Sequence, residues 1–526
     1  MVTRIPFQNI QSIPPIIKDF LNGRWEDFEP YRFNLDTIKS TIQNKSKFYT
    51  PQQREVLHRV ITQQYQGIPL SDLQQNHLDL LLEDNTFTVT TGHQLNLFTG
   101  PVFFIYKILQ TIKTCEYLKN YYPEYHFVPI FWMATEDHDF EEINHFRTPE
   151  HYYELNAKAG GAVGRIKVEH PDFVAQFAED FKDEPLGATL IQWMQRVYRV
   201  ENTLTQSIRI LAQELFSAYG LLLLDGDERQ LKTQMIPLFK EELQHQTLEK
   251  TTTETVEFLS AEYGKVQVNP REINLFYLSE TRNRIEKTNS GYHVVDTPIQ
   301  FSEEEMMLEL ERYPERFSPN ALLRPAYQET VLPNIAYVGG NAEVAYWLEL
   351  VNYFKAAGLN FPTLVPRHSL LFISEKTAKK VEKSGWQVED FLNDVQALFN
   401  QKLLDATPLS TLIDEKQRLL QQGFDELKTQ AALTEKTFYN LVEAEETRQL
   451  KTYERMKKRL LKAERLKNAE QLDWLLRLKE EISPNQQWQE RQYNFSTFYK
   501  NQGEKWLQTC YQLLNADNSE LIVCAI

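Results

Sequence analysis

The sequence predicts an α/β protein: a parallel-sheet core interrupted by inserted connecting subdomains, followed by a C-terminal α-helical coiled-coil domain. Three observations predict it. Residues 86–147 read as strand, glycine loop, helix and strand, which is a βαβ unit. Leu221 to Asp225, LLLLD, reads as a further fully buried parallel strand that ends in a carboxylate. Beyond residue 376 glycine becomes scarce, and the pattern turns helical and densely charged.

At 526 residues the chain is too long for one ordinary core, so two or three domains are expected. Its 57 basic and 73 acidic residues give a net charge of −16, which argues against general binding to nucleic acid or anionic membranes. Cys115, Cys510 and Cys524 are widely spaced; they fit a reducing compartment and neither a disulfide framework nor a zinc motif. No stretch approaches a membrane span and the start lacks a signal-peptide pattern, so a cytoplasmic location is expected.

Residues 1–85 read as a helical lead-in packing on the sheet, with helices Pro15 to Leu21, Leu35 to Gln43, Pro51 to Gln66 and Ser71 to Glu83. The core is expected over 86–375, with insertions at about 150–220 and 240–320. Thr86 to Thr91 is a β-branched strand. The loop Gly92 to Gly100, with Gln94, Asn96 and Thr99 inside it, is placed to wrap a ligand at close backbone approach. Pro101 opens the next helix, whose first N–H groups favour an anion. The buried strand Phe127 to Ala134 then runs into Glu136, Asp137, His138, Asp139, Glu141 and Glu142, at a strand carboxyl end where such sheets bind ligands.

Val163 to Val168 reads as a strand, Pro171 to Tyr219 as largely helical, and Glu228 to His245 as one helix. Asp225 and Asp227 fit ligand contacts and acidic turn residues equally well. Residues 264–300 alternate as an antiparallel insertion. There Arg282 and Arg284 share a strand face, a pattern that favours a solvated hairpin face over a carboxylate clamp.

A second chemical centre follows. Arg324 and Gln328 precede the apolar stretch Ile335 to Val338, which contains Tyr337. Gly339-Gly340 permits close approach to a ligand, and Glu343, Tyr346 and Trp347 come next, the aromatic pair suited to stacking on a base or sugar. The last core strand ends near Arg367. From 376 to 483 a helical coiled-coil domain is expected, broken near Ala406-Thr407-Pro408. Its apolar stripe Met456, Leu460, Ala463, Leu466, Ala469 and Leu472 requires an antiparallel partner helix or a dimer seam. Residues 484–526 return to the core, closing on a strand from Leu521 to Ala525.

The segments TGHQLNLFTGP (91–101), FWMATEDHDFEEINHF (131–146), SPNALLRPAYQETVLPNIAYVGGNAEVAYW (318–347) and FPTLVPRHS (361–369) resemble the cysteine-ligase family of bacillithiol biosynthesis (BshC). That family has a Rossmann-like core similar to class I aminoacyl-tRNA synthetases. Gly92-His93-Gln94 falls where the synthetases keep a two-histidine nucleotide motif, with one histidine here. Arg367 falls where they place a mobile lysine loop, and either stands in for the lysine or anchors the strand end. The resemblance implies a ligase that joins the carboxyl group of cysteine to the amine of glucosaminyl malate, with ATP as the suspected activating cosubstrate. It implies that His93, Gln94 and Asn96 line the phosphate or adenylate site. Glu136, Asp137 and His138 would hold the cysteine or sugar amine, and Arg324, Gln328, Tyr337 and Glu343 would complete the far wall.

Two other readings compete. His93, Glu136, Asp137, His138, Asp139 and His145 are metal-ligating types, yet their spacing matches no standard pattern, so no metal is expected. A catalytically inactive synthetase-like protein could instead use its coiled coil for RNA or a protein partner. Residues 448–467 carry nine basic and two acidic residues, but the overall charge makes nucleic acid a poor partner. A homodimer through the coiled coil is expected, with no membrane contact.

Overall fold

In the computed structural model, which describes residues 2–526, the β-branched run that starts at Thr86 becomes the middle strand of a five-stranded parallel sheet. Its strands are β1 (Thr86–His93), β2 (His126–Met133), β3 (Leu222–Asp225), β4 (Asn334–Gly339) and β5 (Thr363–Pro366). They stand in the order β5-β4-β1-β2-β3, every pairing parallel. The chain thus builds outward from β1 to β3, then returns to build the other way through β4. Where the order reverses, a crevice opens outside the carboxyl ends of β1 and β4. Both faces of the sheet are covered, which is why its strands lack the alternation of a half-exposed sheet.

Helix α1 (Phe103–Tyr121) packs on β1 and β2, and the helix Glu504–Leu513 covers its other side. Enclosure on both sides explains why α1 is apolar nearly all round. Cys115 sits in this core, and burial pushes its thiol well above the usual range, so it serves as packing. In the lead-in, the helix Leu35–Phe48 packs on β4 and β5, and Pro51–Gln64 packs beside β3. Two buried cations lock it down. Lys45 Nζ reaches Glu329 at 3.3 Å, and Arg54 donates to the carbonyls of Leu81, Asp84 and Thr86.

Two expected elements differ. Residues 163–168 do not form a strand; Val163–Arg165 is a short 3-10 turn. Its N–H groups are drawn off to the end of β2, Val163 N to the Asp137 carbonyl at 2.7 Å and Gly164 N to that of Thr135 at 2.8 Å. A Cβ at Gly164 would stand 2.7 Å from Thr135 Cβ, so only glycine passes there. The helix expected over 228–245 is two, Arg229–Thr233 and Ile236–His245, because Pro237 starts a new first turn. The insertion after helix Thr247–Tyr263 is an antiparallel sheet of Gln300–Phe301, Gly291–Val294, Arg282–Thr288, Leu275–Leu278 and Phe317–Pro319, in that order.

Contacts divide the chain into two units, residues 2–371 with 490–523, and residues 372–489 with 524–526. The second is helical. α3 (Pro408–Ala431) and α4 (Lys436–Lys467) follow α2 (Asn341–Glu349) of the first unit in chain order, and α5 (Ala469–Ile482) comes after them. Lys457 pairs with Asp414 at 2.5 Å and Lys428 with Glu446 at 3.0 Å, so α3 and α4 run antiparallel. Their apolar seam is Phe424, Ala431 and Val442 with Leu420 and Tyr439. The stripe expected to supply it does not: Met456 is 41% and Leu466 72% exposed. On so charged a helix two neighbouring stripes both satisfy three- and four-residue spacing, and the partner's side chains select one.

Candidate active site

At the reversal of strand order lies a cavity of about 850 Å³. The end of β1 contributes Gly92, His93 and Gln94, and the end of β2 contributes residues 132–139. Tyr337 of β4, Glu343 and Tyr346 of α2, and Arg324 form the opposite wall. The antiparallel insertion adds Phe276 and Arg282, and residues 267–271 close one side.

Lys107 of α1 ties the two walls together. Its ammonium lies 2.5 Å from the Gly92 carbonyl and 2.8 Å from both carboxylate oxygens of Glu343. Glu343 also accepts the Gly340 N–H at 2.6 Å and the Tyr337 hydroxyl at 3.2 Å. Burial works to raise the Glu343 pKa, but the Lys107 ammonium and the Gly340 N–H outweigh it, so the carboxylate stays ionised. His93 stacks on Phe103, ring centres 5.1 Å apart. Burial, and then the Lys107 charge, push its pKa down to about 3, so at neutral pH it is a neutral hydrogen-bonding imidazole.

The acidic edge is a network. Gln94 Nε2 donates to Asp137 at 2.7 Å and to Glu142 at 2.9 Å, binding the β1 end to the loop after β2. Burial disfavours the Asp137 carboxylate, but hydrogen bonds from the His138 backbone N–H at 2.7 Å and from Gln94, and the Arg282 charge, hold its pKa well below the usual range. Arg282 comes from the insertion strand, and its side chain is only 7% exposed. The solvated-face reading of this residue is therefore wrong: the hairpin folds back and sets the guanidinium 3.1 Å from His138 Nδ1. Asp137, His138 and Asp139 bring ligating atoms within 4.8 Å of one another. A divalent cation there would meet a fixed guanidinium 4.0 Å from Asp137 and an imidazole nitrogen already occupied.

Glu136 lines the cavity, yet its carboxylate is ion-paired at 2.5 Å to Lys232, a fully buried ammonium. Asp227 is gripped by Arg165 at 2.7 and 2.8 Å, and Asp225 accepts the Asp227 N–H; both shape the turn after β3 and neither lines the cavity. Arg324 is arranged otherwise. Among the described residues its side-chain partners are neutral, Gln328 Oε1 at 3.0 Å and the Tyr346 hydroxyl at 3.4 Å.

Several residues that the sequence singles out lie elsewhere, for identifiable reasons. Of the loop 92–100, only its first three residues reach the cavity. The rest folds inward: Phe98 N–H donates to the Tyr198 hydroxyl, and Asn494 donates to the carbonyls of Phe98 and Gly100 at 2.7 Å each. Asn96, Thr99 and Gly100 are therefore structural, and Val102 N–H, at the start of α1, is taken by the Tyr493 carbonyl. Trp347 has no exposed surface and stacks on Tyr337 at 4.7 Å, so it is core and not a ligand wall. Gln328 is likewise enclosed, bonded to Arg324 and Glu329. Gly339 and Gly340 shape the turn that caps α2. Arg367 anchors the strand end through two bonds to Glu490, at 2.8 and 3.1 Å. Sequence reasoning missed Lys107, although a lysine inside FFIYKILQTIK is a signal: a cation in an otherwise buried helix needs a buried partner.

Comparison with known proteins agrees over nearly the full length. Residues 2–368 match the BshC N-terminal Rossmann-like domain of bacillithiol biosynthesis, and residues 370–526 its C-terminal coiled-coil domain. Curated relatives named "Putative cysteine ligase BshC" include that of Flavobacterium johnsoniae, 40% identical with 97% of each chain covered. Those of Flavobacterium psychrophilum, 40% identical over 95% of each, and Christiangramia forsetii, 37% identical over 97% of this chain and 96% of the other, carry the same name. With a Rossmann-like unit and a coiled-coil unit both matched, the chain belongs to the BshC family of bacillithiol biosynthesis.

Proposed function

We propose that the chain is a cysteine ligase that forms the amide between the carboxyl group of cysteine and the amine of glucosaminyl malate, the last step of bacillithiol biosynthesis. One observation carries it: a single cavity sets Arg324, a guanidinium with neutral partners, opposite Asp137, a carboxylate held ionised. The first receives a carboxylate and the second an ammonium or amine, which is what joining the two requires. The names of the relatives support the same reading.

Amide formation from a free carboxylate is uphill in water, so the proposal includes ATP as the cosubstrate that activates the acid. The amine nitrogen forms the C–N bond, the activating group departs with the C–O electron pair, and the nitrogen sheds a proton to a carboxylate. Neutral His93 donates to or accepts from an oxygen at the β1 end without adding charge. The proposal extends to a homodimer through the coiled coil, supported by exposed leucines on α3 and α4, among them Leu412, Leu427 and Leu441. Buried thiols at Cys115, Cys510 and Cys524 support a cytoplasmic, reducing setting.

Purified protein incubated with cysteine, glucosaminyl malate and ATP should yield the amide by mass spectrometry, one nucleotide consumed per bond formed. Turnover of neither amine nor nucleotide would sink the ligase reading. Arg324→Met should raise KM for the carboxylate it holds by about 10- to 100-fold, the worth of one charged hydrogen-bonding partner. An unchanged KM for both acids would place carboxylate recognition elsewhere.

A further inference from the structure

Arg282 is fixed at every nitrogen of its guanidinium. Nε donates to Ser318 Oγ at 3.1 Å, Nη2 to the Pro319 carbonyl at 2.8 Å, and Nη1 to His138 Nδ1 at 3.1 Å. Phe276 backs both partners, 3.9 Å from the guanidinium carbon to the ring centre and 5.5 Å between its ring and the imidazole. A guanidinium carries only donors and no lone pair. The 3.1 Å contact is therefore a hydrogen bond only when Nδ1 of His138 is the acceptor, which leaves the imidazole proton on Nε2. His138 lines the cavity; Asp137 Oδ1 also faces its Nδ1, but at 3.5 Å against 3.1 Å for the Arg282 nitrogen, and the His138 Nε2 lies 3.8 Å from Asp139.

We propose that Arg282 is a positioning residue that holds His138 in its Nε2–H form, so that the imidazole meets the substrate as a hydrogen-bond donor. This rests on the reading of the cavity as the ligase site. In amide formation the acyl oxygen gains negative charge as the amine nitrogen attacks, and a fixed N–H aimed at that oxygen lowers the barrier. With Nδ1 turned to Arg282 and Nε2 already protonated, His138 is not the base for the attacking amine. The proton shed by nitrogen goes to a carboxylate, and Asp139, a cavity residue beside Nε2 that is more than half exposed, is one acceptor in place for it. An antiparallel hairpin inserted far along the chain thereby sets the chemistry of a residue at the end of β2.

The full-length protein with nitrogen-15-labelled histidine tests this, the His138 signals being assigned by their loss in His138→Asn. At slightly alkaline pH the wild type should show His138 with Nε2 protonated and Nδ1 bare, and Arg282→Met should lose that preference. Arg282→Met should also lower kcat by about 10- to 100-fold with little change in KM, and Arg282→Lys, which keeps a donor, should restore part of both readouts. His138 protonated at Nδ1 in the wild type overturns the proposal. So does a tautomer indifferent to Arg282→Met, or a kcat that the folded Arg282→Lys and Arg282→Met proteins both leave intact. The spectroscopic arm needs no substrate. A chain that makes no amide while His138 still answers to Arg282 would remove the ligase reading and leave the coupling standing.

Discussion

Changing Lys107 to methionine should destabilise the folded protein by about 2–3 kcal/mol, and adding Glu343→Gln to the same chain should recover most of it. Lys107 is 2% exposed, and Glu343 takes two 2.8 Å bonds from it. Without the ammonium, the Glu343 carboxylate, 26% exposed at the cavity wall, keeps the Gly340 N–H, the Tyr337 hydroxyl and what water the cavity admits, which only partly replace the lost pair. Neutralising Glu343 as well removes the orphaned charge, which is why the double change should be milder than the single one. Urea unfolding checks this: the midpoint should fall in Lys107→Met with the slope unchanged, and return in the double variant. A single variant as stable as the parent would mean that Glu343 finds water or a proton instead. Because the same ammonium holds the Gly92 carbonyl, Lys107→Met should also loosen the β1 end where His93 stands.

Glu349→Gln should stabilise the protein at alkaline pH and do little near pH 5. Glu349 closes α2, is 1% exposed, and among the described residues one of its carboxylate oxygens has no hydrogen-bond partner. Burial pushes its pKa up to about 8 from an ordinary 4.5, against a smaller opposing pull from the N–H groups of Val268 and Gln267. The folded chain therefore holds this proton more tightly than the unfolded chain. Its contribution to stability is fully present below pH 4.5, and is lost as pH rises through about 8. Glutamine never ionises, so the variant escapes the loss. Its advantage should grow to roughly 2–4 kcal/mol by pH 9, somewhat below the full linkage value for such a shift. Thermal melts of both proteins across pH 5 to 9 (chosen to bracket about 8) read this directly, since every other titration cancels in the difference. Parallel curves would show that Glu349 ionises freely. Val268 and Gln267 line the cavity, so ionisation of Glu349 acts on the wall that faces substrate.

What could be read in advance followed from how much of the physics is local. LLLLD and the β-branched run at Thr86 announced buried parallel strands because enclosure on both faces leaves a continuous apolar pattern. The scarcity of glycine after 376 announced helices for an equally local reason. The site was legible only in part. Asp137 and His138 stand out because they follow a buried strand, but Asn96, Thr99 and Gly100 looked the same as Gln94. What separates them is Asn494, almost 400 residues away, which pulls the loop inward. Trp347 beside Tyr346 looked like an aromatic wall, and only the register of α2 on β4 decides which of the two faces the cavity. Arg282 lay on an alternating strand, and no local pattern says where a hairpin folds back. Long-range pairing made these choices, and it leaves no periodic trace.

Asn494 and the helix Glu504–Leu513 belong to the Rossmann-like unit although 118 residues of helical unit, from Phe372 to Gln489, intervene. During synthesis the outer face of α1 and the inward-folded loop therefore wait until the whole helical insertion has left the ribosome. Non-local closure of this kind is slow, and it leaves apolar surface open to chaperones in the meantime. A chain cut short before Asn494 lacks the two bonds that draw the Phe98 and Gly100 carbonyls inward, next to the residues that the β1 end gives to the cavity.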